Sequence, residues 1–302
     1  MKRTFPFLIA ISIILLTRPL YAEEVHVTRE GDLTVLFDPS LRLASREVAD
    51  FYGAIKADLE RIFGWELRLE PTVLLVKEGE RFQMMTKNPL IVAFAVPGKN
   101  LIVIDHSKMN VHPFSLELTL KHELCHLLLH NHLGEDILPK WLDEGVCQWV
   151  SSGIGEIIMD QKRSFLNKAT LNGTLIRLSE LEDSFPSGRE SLLLAYEESK
   201  GIVDHMIRRY GKERLLILLE RMKRGESADE AILKSLSISS AELEKEWHDS
   251  LRRKMTWFTY LSYHLYEILF AVMALISVYA FIKVMMKKRA YSKDETEEGH
   301  LS

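Results

Sequence analysis

The stretch that decides the fold is Leu116–His130, LELTLKHELCHLLLH. Leucines recur along it and no glycine or proline interrupts it before Gly134, so it predicts a helix. Residues 122–126, HELCH, match the pattern H-E-x-x-H. Two histidines four residues apart lie one turn from each other on a helix, about 40° apart, so both imidazoles can bind one cation. His122 and His126 are therefore candidate metal ligands.

Glu123, the residue after the first histidine, is the candidate for proton transfer at a metal-bound water. Glu123 is offset from the histidines by about 100° around the helix, close enough to hold a water at a bound metal and take its proton. The alternative is a leucine-rich core helix that carries polar residues by chance. Three ionisable groups on an apolar element are costly to bury unpaired, which favours a catalytic metal site with Glu123 as general base.

A catalytic zinc site with two histidines needs a third protein ligand, and the chain offers two candidates. Glu144 lies in the segment WLDEG at 141–145, 18 positions after His126. His132 follows His126 by six positions, the spacing found in H-E-x-x-H-x-x-G-x-x-H, but leucine replaces the glycine of that pattern. If the helix continues, His132 is rotated by about 240° from His126, which favours Glu144. His130 shares the metal-facing side one turn further on, where it would at best contact a ligand.

Composition excludes one class of function and leaves one question open. The 302 residues carry a formal net charge of −4, which gives no basic surface for nucleic acid. The two cysteines, Cys125 and Cys147, make no disulfide framework. They can pair with each other or remain as two small buried core residues, and we favour the second interpretation.

Both ends of the chain indicate a membrane. Residues 1–22 combine a basic start, an apolar run and a final alanine, which predicts a secretory signal peptide, with an uncleaved anchor as the alternative. Residues 265–286 are apolar over a membrane-spanning length, with aromatic residues before them and a Lys-Lys-Arg run after them. The positive-inside rule then makes 287–302 a cytoplasmic tail and 23–255 an extracytoplasmic domain.

Between the ends, strand patterns precede helix patterns. Strands are expected at 33–37 and 66–76, with a hairpin of 91–95 and 101–104. Helices are expected at 45–63 with Ser45 as N-cap, and at 79–86, 141–151, 161–170, 189–210, 214–222, 228–236 and 241–254. A small mixed sheet followed by helices indicates an α+β fold.

The two motifs together carry a family resemblance. HELCH followed by WLDEG resembles the glutamate-ligand zincins, or gluzincins, and is most similar to the small bacterial peptidase MA-like domains. A Tyr-x-x-Ser helix at 196–199 that ends in Tyr-Gly at 210–211 extends the similarity. Two departures stand against an aminopeptidase. Asp143 replaces the asparagine common in aminopeptidase N relatives, and no G-x-M-E-N segment is present to capture a substrate amino terminus.

The resemblance implies a thermolysin-like fold, with zinc on His122, His126 and Glu144 and with Glu123 as general base. It also implies that Tyr196 donates a hydrogen bond to the oxyanion that forms during hydrolysis. The alternative for Tyr196 is a core-packing tyrosine, and His205 is a weaker candidate for the same role.

In such folds an edge strand beside the metal helix binds extended substrate by adding it to the sheet. Residues 93–95 or 101–104 are candidates for that strand, although ordinary hairpin packing explains the same residues. We therefore expect a membrane-anchored zinc metallopeptidase that acts on a peptide or protein substrate. The competing hypothesis is a non-catalytic scaffold of the same fold that binds an envelope protein.

Overall fold

The computed structural model describes residues 25–111, 114–152, 164–254 and 264–298. The predicted signal peptide at 1–22 lies outside the described residues. The chain divides into two units. The larger comprises Met1–Ala169 and Leu175–Trp247, and the smaller comprises Thr170–Thr174 and His248–Ser302. The sheet and the candidate site both belong to the larger unit.

The larger unit contains a mixed sheet in which the described strands follow the order β1-β2-β3-β5-β4. Strands β2, β3 and β5 run parallel, whereas β1 and β4 pair antiparallel with their neighbours. Strand β5 lies between two strands and is buried along most of its length, as expected for an interior strand. Strand β4 is an edge of the sheet. The bounds are β1 His26–Glu30, β2 Leu33–Phe37, β3 Thr72–Val76, β4 Ala93–Val96 and β5 Leu101–Asp105.

Two strand predictions need correction, and one strand was missed. Residues 101–104 cannot bind substrate as an edge, because β5 pairs on both sides. The strand predicted at 66–76 is formed only over Thr72–Val76, after Pro71, which has no backbone N–H to donate to a ladder. Strand β1 was missed because its sequence, HVTRE, lacks a clear apolar alternation and becomes a strand only by pairing with β2.

The helices follow their predicted positions closely. Their bounds are α1 Arg42–Phe63, α2 Gly79–Thr86, α3 Leu116–Leu133, α4 Lys140–Val150, α5 Phe165–Asn172, α6 Arg189–Tyr210, α7 Lys212–Lys223, α8 Ala228–Leu236, α9 Ser240–Lys254 and α10 Leu265–Glu298. The prediction of Ser45 as N-cap is wrong. Helix α1 begins at Arg42, and Ser45 is buried inside it with its Oγ donating to Arg42 O at 2.9 Å. These elements confirm a mostly helical α+β fold with a small mixed sheet.

Helices α4 and α6 approach each other closely at a single glycine. A Cβ at Gly145 would collide with Ser199 O and would lie 2.7 Å from Val203 Cγ2. Beside this crossing, Gln148 Nε2 donates to Tyr196 O at 3.1 Å. The glycine that follows Glu144 therefore allows two backbones to pack where any side chain would separate them.

Two neighbouring glutamates of α6 accept backbone hydrogen bonds from the start of α5 and from the segment that follows α5. Glu197 accepts hydrogen bonds from Phe165 N at 3.1 Å and Leu166 N at 2.8 Å, which satisfies amides at the start of α5. Glu198 is buried and accepts from Ile176 N at 3.0 Å. Burial, followed by the negative charges of Glu244 and Glu197, raises the pKa of Glu198 to about 8.

The smaller unit contains α10, whose residues Leu265–Met286 are long and apolar enough to cross a membrane. Length and composition alone make this helix a candidate span, and they do not determine its orientation. The helix continues past the apolar segment to Glu298, so much of the predicted tail is helical.

We expect Gly145→Ala to lower the free energy of unfolding by about 1–3 kcal/mol, because the added methyl group forces α4 and α6 apart. Chemical unfolding of the full chain in detergent measures this change. Gly53→Ala is the matched control: Gly53 lies inside α1 with nothing within 4 Å of where a methyl carbon would stand, so alanine should stabilise by about 0.5–1 kcal/mol. Equal stability of the Gly145→Ala protein and the wild type would contradict the packing argument.

We expect the stability of the larger unit to fall as pH rises toward 8. The pKa of Glu198 in the folded chain, about 8, lies above its ordinary value of 4.5. The folded state therefore binds the proton more tightly, and the stabilisation present at low pH is lost as the pH rises through the folded pKa. Glu198→Gln should remove this dependence and gain on the order of 3 kcal/mol over wild type at pH 8. Glu47→Gln, at an exposed position on α1, should leave the pH profile unchanged.

Candidate metal centre

Three buried ligand atoms converge between α3 and α4. His122 Nε2 and His126 Nε2 lie 3.1 Å apart. Glu144 Oε2 lies 3.5 Å from the first and 3.7 Å from the second. Glu144 Oε2 accepts no hydrogen bond from the described part of the chain. The structure thus brings together the three residues that the sequence nominated as ligands.

Neighbouring side chains orient both imidazoles toward this point. His126 Nδ1 lies 2.8 Å from Asp143 Oδ1, where it donates to the carboxylate. Ser151 Oγ donates to Cys147 O at 2.8 Å and so accepts from His122 Nδ1, at 3.4 Å. With a proton on each Nδ1, the Nε2 atoms are the ring nitrogens that face the centre, and they lie 3.1 Å apart, a distance at which they share one proton in a hydrogen bond. A metal cation in place of that proton would meet two imidazole nitrogens and a carboxylate oxygen.

The charges of the cluster fit the same interpretation. Burial lowers the pKa of His122, so its imidazole is neutral, the form that binds a metal. Burial alone would raise the pKa of Glu144, but the Lys140 ammonium and His126 hold it well below its usual range. Burial would lower the pKa of His126, yet the charges of Asp143 and Glu144 raise it well above its usual range. The carboxyl groups of Asp143 and Glu144 therefore remain ionised although both are buried.

The donor set and its spacing fit Zn²⁺. In tetrahedral zinc sites with bonds of about 2.0–2.1 Å, neighbouring ligand atoms lie about 3.3–3.4 Å apart. The three separations here are 3.1, 3.5 and 3.7 Å. Two imidazole nitrogens with one carboxylate oxygen leave a fourth position free, as catalytic zinc sites require. The residues present can therefore hold this metal.

The other two histidines of α3 have different surroundings. His130 Nε2 lies 3.2 Å from Asp143 Oδ2, so it contacts the carboxylate that orients His126, as its helical position suggested. His132 stacks on Trp65 with ring centroids 3.9 Å apart and donates from Nε2 to Glu220 Oε1 at 2.7 Å. These contacts turn His132 away from the converging atoms.

Glu123, Tyr196 and His205 are buried, and none of them lines the cleft beside the metal cluster. Tyr196 packs in an apolar cluster with Leu90, Leu192 and Leu193, and its ring meets Phe185 edge-on at 4.9 Å. This is the packing of a core tyrosine, so its role toward an oxyanion stays a prediction.

The two cysteines are buried and unpaired, as we favoured from the sequence. Burial, followed by contact with the Cys125 thiol, raises the pKa of Cys147 well above its usual range. The Cys147 thiol is therefore protonated at neutral pH, and both cysteines are buried core residues of the ligand helices.

An open cleft of about 820 Å³ adjoins the cluster. One wall is the edge strand β4 with the turn that follows it, from Phe94 to Lys99. The rest of the lining comes from the turn between α3 and α4 and from Glu182 and Asp183. His126 and Glu144 line the same cleft. A ligand in the cleft would therefore contact both the candidate metal ligands and the edge of the sheet.

A buried His-His-Glu cluster on two packed helices, open to a cleft beside a sheet edge, is the arrangement expected of a metallopeptidase-like domain. A family model described as Peptidase MA superfamily matches residues 83–253, more than half of the chain. The chain belongs to this superfamily, which supports the gluzincin-type peptidase domain expected from the motifs. A search of curated proteins found no match.

Sequence reasoning made no prediction for the contacts of three residues that touch the ligands, namely Asp143, which lies 2.8 Å from His126, and Lys140 and Ser151. Lys140 Nζ donates to Glu144 Oε1 at 2.6 Å, and Ser151 Oγ contacts His122. Lys140 precedes Glu144 by four residues, a spacing that places both on one side of a helix and was visible in the sequence. Ser151 follows Glu144 by seven residues, about two turns, but its contact with another helix has no local signal.

We expect Glu144→Ala to weaken Zn²⁺ binding by at least about 100-fold and His132→Ala to leave it unchanged. Alanine at 144 removes the only carboxylate oxygen that converges with both Nε2 atoms among the described residues. Competition with a fluorescent zinc chelator, using the full chain in detergent, gives both affinities. The reverse pattern, with zinc lost only from the His132→Ala protein, would establish the histidine-ligand alternative.

Proposed function

We propose that this protein is a membrane-anchored zinc metallopeptidase that hydrolyses peptide bonds. The observation that carries the proposal is the convergence of two imidazole nitrogens and one carboxylate oxygen within 3.1–3.7 Å of one another at a cleft. Membership of the Peptidase MA superfamily supports the reaction class.

His122, His126 and Glu144 would hold Zn²⁺. When bound, zinc polarises the scissile carbonyl and lowers the pKa of a water to about 7. Asp143 and Ser151 keep the two imidazoles oriented through their Nδ1 atoms, and Lys140 keeps the Glu144 carboxylate in place. These contacts fix the ligands before any substrate arrives.

Glu123 acts as general base and then as general acid. It takes a proton from the attacking water and later gives a proton to the leaving amine. Its place in the H-E-x-x-H segment of α3, directly after the candidate ligand His122, supports this role. Tyr196 is our candidate donor to the developing oxyanion, and its place on α6, the helix packed against α4, supports that assignment.

Extended substrate would bind along β4. This strand pairs with β5 on one side, and its residues Phe94–Val96 line the cleft. A peptide that adds to the free edge receives main-chain hydrogen bonds and presents alternate side chains to the cleft. A thermolysin-like arrangement follows, with the metal helix beside the substrate-binding strand.

The proposed topology follows from the ends of the chain. Residues 1–22 would serve as signal peptide, 23–255 as extracytoplasmic peptidase domain, 265–286 as transmembrane helix and 287–302 as cytoplasmic tail. The apolar helix Leu265–Met286 supports the anchor. Reaction with a membrane-impermeant label at single cysteines placed in 23–255 and in the tail tests the two sides.

We expect Glu123→Gln to lower the rate of peptide hydrolysis by about 10²–10⁴-fold while zinc stays bound, because the amide cannot accept the proton of the attacking water. A quenched-fluorescence peptide library and zinc analysis of the same full-chain preparation measure both quantities. A Glu123→Gln protein that keeps zinc and cleaves as fast as wild type would rule out this mechanism.

Glu117→Gln is the matched control, because Glu117 is an exposed glutamate on the same helix. It should keep both zinc and activity. One zinc per chain with no hydrolysis of any library peptide by the wild type would instead favour the non-catalytic scaffold.

A further inference from the structure

Four acidic residues line the cleft in addition to Asp143 and Glu144 of the metal cluster. Glu135 and Asp136 line it from the turn between α3 and α4. Glu182 and Asp183 line it from the segment after the 3-10 helix Leu178–Leu181. All four side chains are exposed, in contrast to the buried Glu144. They form the acidic rim of the cleft.

Within the described part of the chain, the acidic rim has no ion-pair partner, whereas the interior acids do. Lys140, one of the two lysines that line the cleft, pairs with Glu144 at 2.6 Å. Asp143 lies 2.8 Å from His126 Nδ1. Lys99 is the other lysine that lines the cleft. One lysine cannot balance four carboxylates, so the rim keeps an excess of negative charge.

Like charges are held close together at one end of the rim. Lys140 N donates to Glu182 O at 2.7 Å, which fixes this end of the rim at the start of α4. Partial burial, and then the charges of Asp229 and Asp183, raise the pKa of the Glu182 carboxyl. A cation bound beside Glu182 would relieve the repulsion between its carboxylate and those of Asp183 and Asp229.

The geometry of the rim argues against a metal ion as that cation. Among the described residues, the groups whose ligand atoms converge tightly enough for a metal contain none of the four rim acids. Exposed carboxylates spread along a cleft suit long, flexible side chains with a terminal charge. Lysine and arginine have this form.

We propose that the cleft selects peptide segments that carry lysine or arginine close to the bond to be cleaved. The proposal rests on the peptidase function proposed above, because it assigns the substrate class of the same cleft. A peptide bound along β4 would lie in the cleft that the acidic rim also lines. Its side chains on the cleft-facing side of the sheet would come within reach of the rim carboxylates.

Each ion pair between a rim carboxylate and a basic side chain of the peptide should strengthen binding only slightly. The preference for basic peptides is the sum of these contributions. Exposed ion pairs contribute little individually, and salt screens them. Two to four such contacts correspond to about a tenfold preference for a basic peptide at low ionic strength. The preference should shrink at about 0.5 M salt, where the screening length falls to a few ångströms.

Binding to the zinc-loaded Glu123→Gln protein, as the full chain in lipid nanodiscs, tests the inference without requiring turnover. The probes are two ten-residue peptides with a neutral fluorophore, one containing two lysines and the other glutamine in their place. Fluorescence anisotropy should show about tenfold tighter binding of the lysine peptide at low salt.

A double substitution in the same background tests whether the rim is the cause. Glu182→Gln with Asp183→Asn should reduce the lysine preference about threefold to tenfold and flatten its salt dependence. Glu47→Gln with Asp50→Asn is the matched control, with the same charge change at exposed positions of α1 outside the cleft. This control should keep the full preference.

Equal binding of the two peptides, or a preference that the rim substitutions leave intact, overturns the inference. Hydrolysis by wild type separates it from the proposed function. Cleavage of both peptides at equal kcat/KM overturns the inference and upholds the peptidase. Selective binding of the lysine peptide without cleavage of any library peptide upholds the selective cleft and overturns the peptidase.

Discussion

Two imidazoles and two carboxylates share one buried space between α3 and α4, and the rest of the structure serves to keep them there. Such groups are costly to bury unless each finds a partner. Here Asp143 accepts from His126 and from His130, and Lys140 neutralises one oxygen of Glu144. The three candidate ligand atoms lie within 3.7 Å of one another, and Glu144 Oε2 accepts no hydrogen bond from the described residues. This converging set is the arrangement that a divalent cation would complete.

The surrounding fold turns this local cluster into an accessible site. Gly145 lets α4 pack directly on the backbone of α6, so the helix that carries Glu144 is held along its length. On the other side, α3 lies against β4, the edge of the sheet. The metal cluster therefore opens onto a cleft whose second wall can hydrogen-bond to an extended chain. The proposed peptidase function would use both features, the packed helix that supports the ligands and the sheet edge that lines the cleft.

Charge is distributed differently in the interior and at the rim of the cleft. Inside, Asp143 and Glu144 each have a partner of opposite charge, and the pKa of each is lowered. At the rim, acids stand near other acids, and the pKa of Glu182 is raised. An interior with compensated charge is fixed before binding, whereas a rim with uncompensated charge gains free energy only when a cation arrives. This contrast separates the proposed metal ligands and their partners from the residues proposed to select the substrate.

The sequence by itself determined whatever depends on neighbours along one helix. The spacing of His122 and His126, the position of Glu144 near the start of the next helix, and bounds such as Arg189–Tyr210 all follow from helical periodicity and from glycine at helix ends. The tertiary structure alone decided which strand is an edge, that Ser151 reaches His122, and that the rim segments meet across one cleft. These features join residues far apart in the chain, and their free energy comes from packing and pairing that no local pattern records.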